Sequence, residues 1–184
     1  RWVFLAAVPS GLLVAVTAHI STDVAAAPLL WVMPLALYLL TWVLVFQSRP
    51  LLPHRVMLML SPLAIGGAIL LVGVGSVYNL ALTLGGHLAC FFVIAMACHG
   101  ELARTRPAAA RLTGFYVALA FGGMIGGLFT ALVAPYAFSW VAEYPILIVA
   151  AVLCRPGGGA PGRWSRLLWP ALARLSQAGE RIVL

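Results

Sequence analysis

Few residues in this chain could do chemistry, and their spacing is specific. In "AHISTDVAAAP", His19 and Asp23 stand four apart in a sequence of which 64% is hydrophobic and 8% charged. Positions i and i+4 share one helix face. A carboxylate and an imidazole on one face support two kinds of chemistry. In a low-dielectric cavity they hold a cation, a proton or an amine. Alternatively they form a local bond that ends one helix and starts the next, with Asp23 capping the backbone N–H groups of "VAAAP". His87 poses the same choice between a packed histidine satisfied by a polar neighbour and a working group. Glu143, followed by Tyr144, supplies another carboxylate. His99 and Glu101, beside Arg104 and Arg106, form an inner polar cluster.

Other chemistries fit poorly. Tetrahedral zinc wants four convergent ligands at tighter spacing than His87, Cys90, Cys98 and His99 provide. A haem pair would need partner ligands from a second helix, so no metal and no cofactor is expected. The three cysteines read as small membrane-buried apolar residues rather than a disulfide framework. Ser10 and Ser61 each adjoin a proline and have no base at motif spacing. No catalytic residue is assigned.

These side chains must be positioned by helices in lipid. A mean hydropathy of +1.08 with so little charge lies far from soluble domains, which carry about 25% charged residues. The apolar segments are continuous, not alternating over about 10 residues, which excludes a β-barrel. Six spans are expected, at about 2–20, 24–46, 56–75, 77–98, 112–133 and 136–154. The expected fold is therefore all-α, a polytopic transmembrane helix bundle over residues 1–155. A Gly/Pro linker, 156–163, leads to a terminal segment, 164–184, with arginines beside Leu168, Leu172 and Leu175. That segment is expected to be an amphipathic interfacial helix anchored by Trp164 and Trp169.

The basic residues set the orientation. All are arginine, and eight of the eleven lie in the second and fourth connections and in or beside the sixth. The positive-inside rule then places the N terminus and the even connections in the cytoplasm. The net charge of +7 is a topology signal and an attraction for anionic lipid, and no aromatic-interleaved basic patch points to nucleic acid. On this reading His19, Asp23 and Glu143 lie at the outer end and His99 with Glu101 at the inner end. His87 sits between them, about 15 Å deep. "FGGMIGGLF" offers two overlapping small-xxx-small pairs, Gly122 with Gly126 and Gly123 with Gly127, for close helix packing within the bundle or with another chain.

Four stretches together carry a family resemblance: "AVTAHISTDVAAAPLLWVMPLALYLLTW" (15–42), "CHGELARTRP" (98–107), "RLTGFYVALAFGGMIGGLF" (111–129) and "EYP" (143–145). In this order they resemble the membrane-embedded region of bacterial fused spermidine-synthase-like proteins. The resemblance implies a multi-pass protein of the bacterial inner membrane, accompanied by a separate aminopropyltransferase-like domain. That domain's cofactor loop and catalytic acids are missing from these residues, so aminopropyl transfer is not assigned to them. Two functions are expected. The bundle is a membrane anchor, a scaffold or a subunit of a larger assembly, with lipids, other chains or a second copy as partners. The alternative is a transporter or binding site for a small cation or polyamine, using His19, Asp23, His87 and Glu143.

Overall fold

Apolar runs interrupted by proline and glycine dictate helices with irregular joints. The computed structural model describes residues 1–24, 29–47, 51–74, 80–138 and 141–156, and all its regular elements are helical, with no strand among the described residues. They are α1 (Trp2–His19), α2 (Val32–Phe46), α3 (His54–Val74), α4 (Leu80–Arg104), α5 (Leu112–Leu128), α6 (Ala134–Ala137) and α7 (Glu143–Leu153). The expected linker beyond Pro156 and the interfacial helix at 164–184 lie outside the described residues.

Four helical stretches are long and apolar enough to cross a membrane: Trp2–Thr22, His54–Gly73, Leu80–Arg104 and Ala109–Ala137. α2 and α7 coincide with the expected second and sixth spans but have only 15 and 11 residues. At 1.5 Å per residue they reach about 22 and 17 Å, against a hydrocarbon core of about 30 Å. Six spans is thus an approximation to four long helices and two short ones.

Local chemistry explains the shifted boundaries. The second helix starts at Val32 rather than near residue 24 because Leu29 takes a left-handed φ of 68°, which a helix cannot pass through. The fourth runs on to Arg104, since nothing breaks it before Pro107 and its last turn is held by ionic contacts. The break expected at 134–138 does not end the fifth helix. Pro135 lacks the N–H that would bond the carbonyl of residue 131. A π-helical turn, Phe129–Val133, takes up that mismatch, and α6 continues the rod. In α3, Pro62 likewise frees the carbonyl of Leu58. The Ser61 hydroxyl donates to it at 3.0 Å and the Arg155 guanidinium at 3.3 Å, so a proline defect becomes a tie from α3 to the end of α7.

α1 is the centre of the bundle. It packs most extensively on α5 and also meets α4 and α7, while α3 packs on α4 and α7, and α2 on α4. Its Leu5, Val8, Leu12, Ala15 and Val16 form one core with Phe91, Ile94, Ala95 and Leu102 of α4, Phe115 of α5 and Tyr144 and Ile148 of α7. The outer faces carry large apolar side chains, such as Met59 and Leu63 on α3 and Val117 and Phe121 on α5. Met59 is 74% exposed, and so broad an apolar exterior belongs in lipid rather than water. The chain has the build of a multi-pass membrane protein.

Candidate functional site

The helices bring polar side chains together in three places. The first joins α1, α4 and α7. His19 is the last residue of α1, and its ring lies edge-on to His87 with centroids 4.8 Å apart. The same ring stacks on Tyr144 at 5.2 Å. His87 Nδ1 and the Tyr144 hydroxyl are hydrogen-bonded at 2.9 Å. Nε2 of His87 is buried without a hydrogen-bond partner. His87 therefore groups with His19 instead of standing alone between two polar clusters. Glu143 is buried in the first turn of α7, where unpaired N–H groups favour a carboxylate. The Asp23 side chain lies outside the described residues; its backbone is in the π-helical turn Ile20–Val24 that extends α1.

The second place joins α2 to α4 around His99. The Thr41 hydroxyl lies 2.6 Å from the Tyr38 carbonyl and 2.8 Å from His99 Nδ1. Its single hydrogen goes to the carbonyl, which has no donor of its own to offer. His99 then donates its Nδ1–H to Thr41, and its Nε2 is left as a buried acceptor without a partner. The ring is tilted over Trp42 at 4.2 Å and meets the Tyr38 ring edge-on at 5.2 Å. Three residues of one short helix thus box a single histidine.

The third place joins the start of α1 to the end of α4. Glu101, a buried residue, accepts from the Arg1 guanidinium at 2.6 Å. His54 Nε2 is 3.5 Å and Arg104 Nη1 3.7 Å from its other oxygen. One turn on, the Trp2 indole N–H donates to the Thr105 hydroxyl at 3.2 Å, which itself donates to the Glu101 carbonyl at 2.8 Å. His99 and Glu101 do not form one cluster. Residues two apart on a helix point about 200° away from each other, so His99 turns to α2 and Glu101 to α1 and α3.

Glycine places the helices. A Cβ at Gly122 or Gly126 would run into the backbone carbonyls of Val3 or Ala7, so these two glycines are where α1 lies against α5. A Cβ at Gly123 would lie 3.8 Å from the Ser10 hydroxyl, an ordinary contact, and that hydroxyl donates to the Gly123 carbonyl at 2.9 Å. Gly127 faces open space. The small-residue motif is used inside the chain, along one of its two faces.

Sequence reasoning placed Tyr144 beside Glu143 without a role of its own and gave none to Thr41, Tyr38, Trp42, His54 or Arg1. Tyr144 had a signal in its position directly after a carboxylate within an apolar run. "YLLTW" had one too, since it puts Tyr38, Thr41 and Trp42 within about one turn. Arg1 and His54 had none, because their meeting with Glu101 depends on tertiary packing. Among the described residues no three His, Cys, Asp or Glu side chains converge as metal ligands would. Comparison of the chain with protein-family models, curated proteins and solved structures finds no match.

Proposed function

We propose that this bundle is a membrane anchor and scaffold, or a subunit of a larger assembly, because its ionisable groups are too sparse for a complete transporter. One observation supports it above the others. His87 and Glu101 are separated along α4 by about 21 Å. Between them Phe91, Ile94, Ala95 and Cys98 are each at most 1% exposed. A transport path needs polar groups or water along its length, and this layer offers packed hydrocarbon. The polar side chains then act as latches between helices. The arginine bias supports a cytoplasmic N terminus; the resemblance implies a bacterial inner membrane, and this reading takes lipids and another chain or second copy as partners.

A second reading, binding of a small cation or amine, is favoured by Glu143. It places a carboxylate residue, only 7% exposed, at the start of α7 in an otherwise apolar bundle. Uptake of labelled putrescine and spermidine into proteoliposomes separates the two. The scaffold reading expects uptake equal to protein-free vesicles, for the unaltered chain and for Asp23→Asn, His87→Ala and Glu143→Gln alike. Uptake by the unaltered chain that Glu143→Gln or His87→Ala abolishes, with folded protein retained, would overturn it.

A further inference from the structure

All three cysteines are free thiols, and two of them meet. Cys98 lies on α4, and Cys154 directly follows the last residue of α7. Their side chains share a hydrogen bond, one S–H donating to the other sulfur. Both line one small cavity between α3, α4 and α7, with Ser61 and Arg155 on the same walls. They are 1% and 4% exposed. Cys90 stands apart. It is about 12 Å from Cys98 along α4 at 1.5 Å per residue, and its sulfur faces Gly67 of α3.

Two buried thiols in contact either fill space as small apolar side chains or act as a pair. Place and surroundings favour the pair. The sulfurs must close to about 2.05 Å to bond, and the cavity beside them, about 10 Å³, leaves a little room for that rotation. The Arg155 guanidinium, held by the Leu58 carbonyl at 3.3 Å, sets a positive charge on the cavity wall. The attacking form of a cysteine is the thiolate, which a neighbouring cation favours. The two sulfurs also differ in access. Cys154 caps a helix of 11 residues, where fraying of the last turn uncovers it, whereas Cys98 sits within the 25 residues of α4. Arg155 lies at the arginine-rich end of the bundle, the cytoplasmic end by the positive-inside rule. Disulfides on that side of a membrane are transient and redox-sensing rather than structural.

We propose that Cys98 and Cys154 form a redox-sensitive dithiol, which a peroxide converts into a disulfide that fastens the end of α7 to α4. The Cys154 thiolate attacks one peroxide oxygen, the O–O bond breaks, and a sulfenic acid and hydroxide form. The Cys98 thiol then attacks that sulfur, the S–S bond forms, and the sulfenic oxygen leaves as water with the thiol proton. The peroxide has gained the two electrons that the two thiols lost. An external dithiol returns them. The pair does not depend on whether the bundle is a scaffold or binds an amine.

Intact mass spectrometry of the full chain in detergent tests this. The reduced chain is exposed to hydrogen peroxide, quenched in acid, unfolded in SDS and labelled with N-ethylmaleimide. Label should fall from three adducts per chain to one, with the unlabelled mass lower by two hydrogens, and dithiothreitol should restore all three. Cys90→Ser should fall from two adducts to none. Cys98→Ser and Cys154→Ser should give no such cross-link, and Cys98→Ala and Cys154→Ala repeat the test with an apolar replacement. The oxidised unaltered chain and oxidised Cys90→Ser should unfold at a higher SDS concentration than their reduced forms, because the cross-link restricts the unfolded chain. Three adducts persisting at a peroxide dose that oxidises the SDS-unfolded chain would reduce the contact to packing and overturn the proposal. Cross-links through Cys90, or between two chains, would overturn it as well. A Cys98–Cys154 cross-link that leaves the SDS midpoint unmoved would overturn the fastening of α7.

Discussion

Thr41→Val isolates one interhelical hydrogen bond with little change of shape. Thr41 accepts from His99 at 2.8 Å while donating to the Tyr38 carbonyl at 2.6 Å. Valine fills the same volume, so no cavity opens. What remains is an Nδ1–H on a fully buried ring whose Nε2 already lacks a partner. In a water-soluble protein that orphan would cost about 1–3 kcal/mol. In a bilayer the separated helices find substitute partners, and measured interhelical bonds average about 0.6 kcal/mol with a ceiling near 1.7. The membrane scale governs here, and complete burial puts this bond in its upper half. The expected loss is therefore about 1–1.7 kcal/mol, roughly five- to eighteenfold in the folding equilibrium. His99→Phe supplies the control. It removes the donor and keeps a ring over Trp42, whose centroid lies 4.2 Å away in the native protein. In that background Thr41→Val should cost only its local bond to Tyr38, and the difference between the two costs is the coupling. Equilibrium unfolding in mixed detergent–SDS micelles, followed by tryptophan fluorescence, measures all four proteins. Equal costs of Thr41→Val in both backgrounds would refute the donor assignment and with it the latch between α2 and α4.

Gly126→Leu drives a side chain into the Ala7 carbonyl, where backbone cannot yield, while Gly127→Leu enters open space. The first should destabilise by about 1–3 kcal/mol or more and the second by less than about 0.5 kcal/mol, read as midpoints in the same SDS titration. Tyr144→Phe strips His87 Nδ1 of its 2.9 Å partner and leaves both its ring nitrogens unpaired. A loss of about 0.6–1.7 kcal/mol is expected, and the same titration would show it.

The medium and the helical class were legible because they depend on composition and continuous apolar length. Segments such as 80–104 need no partner to declare themselves. Helix ends were less legible. A proline inside an apolar run ends a helix, kinks it or is absorbed by a wider turn, and Pro62, Pro135 and the turn at Leu29 show how tertiary context decides. Among the polar residues, sequence depth correctly put His19 near the end of its helix but divided His87 from it, because depth along one helix says nothing about which neighbour lies beside it. The glycine pairs show the same limit. Gly122 and Gly126 carry the identical spacing as Gly123 and Gly127, and only the position of α1 makes the first pair a contact and leaves Gly127 open.

Lipid gives apolar surface no reason to prefer protein, so helices in a membrane are held by close backbone contact and by polar groups that find each other. This chain uses the two devices in different places. α1 and α5 meet through Gly122 and Gly126, which bring carbonyls and Cα atoms together over a long contact. α2 and α7 are too short for that. α2 has no helical glycine, and its 15 residues are tied to α4 by the Thr41–His99 bond and the stacked rings around it. α7 is tied to α4 by Tyr144 and to α3 by Arg155. α4 receives both, and its last turn also holds Arg1. Hydrogen bonds of His99 and His87 thus fasten both short helices to α4, while the Arg1–Glu101 cluster and the Ser10–Gly123 bond join long helices to one another.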